Sequence, residues 1–192
     1  MQNFLIGIIA AVLVYSGLVA GGLGVARFLM PAPPNLYRTS IYDITLPQGW
    51  TCALEGTETV CTPQGEPPHR AILIAAMKFR NPEMDTINAY TAHLGKPKNS
   101  VLPDGKKMTS TVERVDHTVI DGRTWVDATH LESEVPGYRT RYLASLTAQV
   151  GIAITFSTIK NDYEIYQPVL DRTVSSINIY QSFNETTEKV FN

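Results

Sequence analysis

The chain has 192 residues, with 16 Lys and Arg against 18 Asp and Glu, for a formal net charge of -2. That length holds one domain plus a tail or two. The basic residues are scattered, which excludes the clustered basic face of a nucleic-acid-binding protein. Apolar residues are unevenly placed, and many of them precede Pro31.

No charged residue occurs from Phe4 to Ala26, a run of 23 positions. A helix needs about 20 apolar residues to cross the hydrocarbon core of a bilayer, so residues 1–30 read as a single transmembrane anchor. A cleaved signal peptide would have a shorter apolar run, a basic start and a small-residue cleavage site. Here the chain starts Met1-Gln2-Asn3, and Gly24-Val25-Ala26 is a weak cleavage pattern. Within the anchor, Gly17 and Gly21 have the GxxxG spacing, and Ala20 with Gly24 repeats it one register on. Such small residues let another helix backbone approach closely, although glycine is common in membrane helices generally. Gly17, Gly21 and Gly24 are the expected packing positions, against a copy of the chain or a larger membrane complex.

Residues 31–40, opening on Pro31-Ala32-Pro33-Pro34, read as a stiff proline-rich linker. A domain over 41–180 and a polar tail over 181–192 follow. Arg27 and Arg38 lie on the domain side of the anchor, and by the positive-inside rule alone they would keep the domain in the cytoplasm.

The cysteines argue the other way. Cys52 and Cys61 flank Gly56-Thr57. Glycine first suits a type II′ hairpin turn. From a hydrogen-bonded 55–58 pair, alternation puts 52 opposite 61 on a non-hydrogen-bonded site, where Cα atoms lie about 4.5 Å apart. That separation suits a disulfide. Disulfides persist outside the cytosol, so the register favours a domain on the periplasmic or extracytoplasmic side of an inner membrane. The spacing is not that of a Cys-x-x-Cys redox pair.

Further along, 41–46 alternates as a first strand. The apolar run 71–77 suits a strand covered on both faces. Asn81-Pro82-Glu83 reads as the start of a helix carrying Met84, Ile87, Thr91 and Leu94 on one face and ending at Gly95. Residues 96–107 form a long polar loop. Asp121-Gly122 is a strong type I′ signal joining strands over 109–120 and 123–133. Strands over 138–147 and 151–157 follow. Asn161 with Glu164 resembles a capping box, and Pro168 divides a first turn at 162–166 from a helix over 167–175, with Val169, Leu170, Thr173 and Val174 inward. A short strand over 176–180 closes the domain. The order is that of an α+β sandwich on a largely antiparallel sheet.

Two stretches carry a resemblance. One is Tyr42-Asp43-Ile44-Thr45-Leu46-Pro47-Gln48-Gly49-Trp50. The other runs from Gly151-Ile152-Ala153-Ile154-Thr155-Phe156-Ser157 through Tyr163 and Pro168 to Ser175-Ser176-Ile177. They resemble the PsbP-like fold, an α/β/α sandwich shared by the photosystem PsbP proteins, a Ran-GTPase-binding protein and bacterial DcrB-type proteins. The resemblance spans about 40–180. It implies a binding or assembly module rather than an enzyme.

No catalytic motif, phosphate loop or metal-ligand spacing accompanies His69, His93, His117 or His130, so neither a metal nor another cofactor is expected. The Asp121-Gly122 hairpin places Asp116 opposite Asp127 and Glu113 opposite His130, the latter a surface pair. The face with Val115, His117, Val119, Val126 and Ala128 reads as the core side, with His117 a core or edge residue. Two facing carboxylates need an arginine, such as Arg114 or Arg123, or a cation between them. Asp116, Trp125 and Asp127, with Arg139 and Arg141 on the next strand, form the expected contact surface for a partner or ligand. The alternative is that a helix covers Trp125 and the charges ring it. The expected function is a non-enzymatic accessory subunit docking on a membrane complex. A stand-alone envelope ligand-binding or stress module, with a pocket between sheet and helix, is the alternative.

Overall fold

A computed structural model describes residues 35–180 apart from 103–104 and 134. The anchor and its Gly17, Gly21 and Gly24, and the tail 181–192, lie outside the described residues. Among those described, no helix is long and apolar enough to cross a membrane.

The chain enters the domain earlier than the proline pattern predicts. Asn35–Arg38 is strand β1, antiparallel to β2 (Tyr42–Leu46). The linker reading of 31–40 therefore fails from Asn35 onward. The Asn35 side chain donates to the Pro47 and Trp50 carbonyls, which fastens this entry point. Strands β3 (Trp50–Glu55) and β4 (Glu58–Pro63) form the predicted hairpin, with Glu55 opposite Glu58 and Cys52 opposite Cys61. Gly56 takes φ +63°, as the first central position of a type II′ turn requires. The two sulfurs are bonded, with the Cα atoms 4.0 Å apart.

β5 (Ala71–Phe79) leads to helix α1 (Ile87–Leu94). The helix begins five residues later than Asn81-Pro82 predicts. Asp85 is the reason: its carboxylate accepts from the Asn81 amide and binds the Lys78 ammonium at 2.7 Å. Residues 81–85 are thereby tied into a turn, and Thr86 caps the helix by accepting from the Ala89 amide. Met84 is left exposed. Gly95 does end α1, but with φ -77°, not the left-handed geometry typical of glycine caps. The polar loop carries two short paired strands, β6 (Asn99–Val101) and β7 (Lys107–Thr109).

β8 (Thr111–Ile120) and β9 (Arg123–Leu131) pair across Asp121 and Gly122, both with positive φ, as a type I′ turn demands. β10 (Tyr138–Leu146) and β11 (Val150–Ile159) follow. A short 3-10 turn over Lys160–Asp162 opens helix α2 (Tyr163–Ser175). Pro168 does not divide this helix. The carbonyl its missing N–H would have bonded, that of Glu164, belongs to an exposed residue open to water. Asn161 is not the cap. Asp162 occupies that position, and its carboxylate accepts from Arg70 instead. Asn178–Ile179 forms β12 beside β2.

The strands β3-β4-β5-β11-β10-β9-β8 form one seven-stranded sheet and β1-β2-β12 a second, and every pairing among them is antiparallel. α2 and the small sheet cover one face of the large sheet. The core there includes Ile44, Trp50, Leu73, Trp125, Leu143, Ile154, Phe156 and Leu170. α1 covers part of the other face, over Val126, Ala128, Tyr142 and Ala144. The larger core thus lies on the Trp125 side, opposite to the reading from the hairpin. β5 alternates accordingly: Ala71, Leu73, Ala75 and Met77 are buried, while Ile72, Ile74 and Ala76 are half-buried.

Candidate functional site

The predicted contact surface is not a surface. Asp116 does face Asp127 across the ladder. But α2 lies over this part of the sheet, leaving Trp125 1% exposed, Asp127 2% and Arg141 4%. Of the five residues, Asp116 remains exposed and Arg139 is half-buried. The two carboxylates do not share a cation. Asp127 accepts two bonds from Arg141, both 2.9 Å, and a third of 2.9 Å from Arg114. Arg141 also reaches Asp171 of α2 at 2.8 Å. Burial alone would discourage charge on Arg141, but the two carboxylates more than offset it and hold its guanidinium charged. Arg123, the other arginine considered for neutralising the pair, lies over the Trp125 ring, 5.9 Å from its centroid. Arg139 lies 4.3 Å from the Tyr163 ring centroid and pairs with Glu113 at 2.6 Å. These charges bind the sheet to α2.

Glu113 is free to do this because β8 carries a bulge between Val112 and Arg114, which sets Val112 opposite His130. The Glu113–His130 pair therefore does not form. His130 is fully buried. Its Nε2 donates to the Leu94 carbonyl at 2.8 Å, and its Nδ1 lies 3.1 Å from the Ser110 hydroxyl. His130 fastens the end of α1 to the sheet, and periodicity could not have shown this. His117 is exposed, its Nε2 3.0 Å from the Thr91 hydroxyl.

Among several concave features of the described residues, one lies on the opposite face, where the sequence marked no site residue. A groove of about 400 Å³ runs along the sheet between α1 and the tip of the disulfide hairpin. Its floor is built across strands: Ala76 of β5 is opposite Ala153 of β11, which is opposite Ala144 of β10. Gly151 has a close neighbour, since a Cβ there would sit 2.5 Å from the Tyr90 hydroxyl. Tyr90 of α1 can lie against the strand only because that position has no side chain, and it forms one wall. Its hydroxyl donates to Asp85 at 3.2 Å. Burial first, then the adjacent Asp85 carboxylate, pushes the Tyr90 hydroxyl up to about 12. Burial pulls the other way on Asp85 itself, but bonds from Lys78, the Asn81 amide and Tyr90 hold its carboxyl below the ordinary range.

The other end of the groove is cationic. Lys98 rests 4.9 Å from the Tyr142 ring centroid. His93 lines the groove beside it, and its imidazole is held below the ordinary value by partial burial and by Lys98 and Lys96. Among the described residues, neither Lys96 nor Lys98 forms an ion pair. Among those residues too, no group of three or more His, Cys, Asp or Glu is placed to hold a metal ion.

An antiparallel sheet flanked by a helix on one face and by a helix with a small sheet on the other defines an α+β sandwich. Its solved counterparts are PsbP-like. The domain is similar to the cyanobacterial PsbP protein CyanoP from Synechocystis sp. PCC 6803, with a TM-score of 0.54 and 13% identity over 79% of this chain and 95% of that one. It is also similar to PA94 from Pseudomonas aeruginosa, a protein of unknown function described as a putative regulator, with a TM-score of 0.50 and 12% identity over 77% of this chain and 97% of that one. The fold is thus PsbP-like. No protein-family model and no curated protein matches the sequence.

Proposed function

We propose that the chain is a non-enzymatic accessory subunit. In this reading the Phe4–Ala26 segment tethers it to a membrane, its domain stands on the extracytoplasmic side, and it docks on a membrane protein complex. The observation that carries the reading is the Cys52–Cys61 disulfide, a bond that persists in oxidising compartments, in a chain whose charge-free segment is long enough to cross a bilayer. Gly17, Gly21 and Gly24 would supply close helix contacts with the partner. The burial of Asp127 and Arg141 supports a structural role for the charge cluster, since each is committed to the other. Purification of the full chain in mild detergent is expected to bring down membrane partners in fixed stoichiometry. Recovery as a lone monomer overturns the proposal.

The groove favours a second reading, an envelope module that binds a small ligand. It lies between sheet and helix, its volume falls within the range of about 300–1,000 Å³ typical of ligand sites, and it combines an apolar floor with few polar groups. Native mass spectrometry of the full chain released from its membrane should then show a retained small molecule. A bare chain would count against this reading.

A further inference from the structure

The groove has a chemistry that selects among ligands, and we infer that it binds a single-chain anionic amphiphile of the fatty-acid class, with the acyl chain on the floor and the carboxylate at the Lys98 end. The inference rests on the second reading above. Ala76, Ala153 and Ala144 occupy one cross-strand row, and Thr57 at the hairpin tip closes its far end. Three strand spacings of about 4.8 Å make this trough ~14 Å long. The backbone groups beneath it are engaged in the β5–β11–β10 ladder. An extended peptide laid there would find nothing to pair with its own N–H and C=O groups, and leaving them unpaired is costly. An acyl chain has no such need, and this separates a lipid from an acidic peptide.

The charge complements the same choice. Lys98 and His93 line both the groove and an adjoining polar recess that also contains Lys96. The Lys98 ammonium lies over an aromatic ring, and neither lysine is matched by a carboxylate among the described residues. Lys78, the other lysine in the lining, is committed to Asp85 and adds no free charge. An anion at this mouth would lie close to three nitrogen-bearing side chains, whereas an alkyl amine would be repelled.

The test is photolabelling of the full chain in phosphatidylcholine vesicles with a diazirine-bearing dodecanoate, the labelled peptides being mapped by mass spectrometry. Labelling within 144–155 is expected. It should fall about tenfold when Lys96→Glu and Lys98→Glu are combined, the scale set by reversing two exposed charges. Shortening the probe should weaken labelling about fourfold for each methylene removed. Ala153→Trp should abolish it by filling the floor while α1 stays folded. Equal labelling by the matching alkyl amine or alcohol, or indifference to the lysine changes, overturns the assignment to an anion and leaves a general apolar site. No labelling of 144–155 by any of the three probes overturns both the inference and the ligand-binding reading.

Discussion

The two faces of the large sheet have been finished differently. Under α2, the sheet face is closed and carries charge inside: Asp127 and Arg141 are buried and satisfy each other, with Arg114 and Asp171 at the rim. Beside α1, the face is partly open and its floor is made of alanine and glycine. One helix length accounts for much of this. α2 has 13 residues and α1 has 8, and at 1.5 Å per residue the shorter helix spans ~12 Å. It reaches β8, β9 and β10 but leaves Ala153 exposed on β11. A buried ion pair can define a unique packing without adding net stability, because desolvation offsets much of its attraction. The difference teaches that the polar residues most conspicuous in the sequence are the architectural ones. The residues available to a ligand are small and unremarkable in pattern.

The largest expected effect lies on the closed face. Asp127→Ala leaves the buried Arg141 guanidinium only the half-exposed Asp171 as a partner, which should cost about 3 kcal/mol, the low end for breaking a buried pair. Asp116→Ala, directly across the ladder and exposed, should cost less than about 0.5 kcal/mol, as surface substitutions usually do. Urea midpoints of the two variants check the contrast, and similar losses would show that the two carboxylates act as one unit.

Next comes the hairpin that closes the end of the groove. Cys52 and Cys61 are nine positions apart, and closing so short a loop is worth about 2–3 kcal/mol by the chain-entropy model. Cys52→Ser with Cys61→Ser should lower stability by that amount, and reductant should then have no further effect on thermal unfolding.

On the open face, Gly151→Ala drives a methyl into the Tyr90 hydroxyl. The expected loss is about 1–3 kcal/mol, the cost of overpacking. Tyr90→Phe should recover part of it in the double variant, by removing the atom struck. Absence of recovery would place the strain elsewhere.

The smallest effects are in the pH dependence that Asp85 and Tyr90 confer on the α1 side. Asp85 is held below its unfolded value of 3.8, so its stabilisation is present above that pH and is lost as pH falls through the folded value. Tyr90 is raised from 10.0 to about 12, so its contribution is present below pH 10 and is lost as pH rises toward 12. Asp85→Asn should flatten the acid limb of the stability profile, and Tyr90→Phe the alkaline limb. Wild-type slopes on both limbs would sever the proposed link between this pair and the seat of α1.

Local chemistry was legible wherever a turn governs register. Gly56-Thr57 and Asp121-Gly122 each dictate a two-residue turn, and alternation then brings Cys52 to Cys61 and Asp116 to Asp127. The bulge at Val112 and Arg114 was not legible. It depends on what β8 meets at its far end, and it separates Glu113 from His130. The start of α1 was misread because Lys78, on the preceding strand, takes hold of Asp85.

By itself, then, the sequence determined the register of both hairpins near their turns, the disulfide and the α+β class, because turn geometry and side-chain alternation act within a few residues. Only the tertiary structure decided which face of the β8–β9 hairpin would be sealed. Trp125, Asp127 and Arg141 look like surface residues in the pattern, and they became core because α2, entering from much later in the chain, brings Asp171 and an apolar face onto them. The groove was decided the same way. Ala76, Ala144 and Ala153 become one row only when three strands align, and its Ala76 and Ala153 end is open because α1 covers Ala144 and stops short of them.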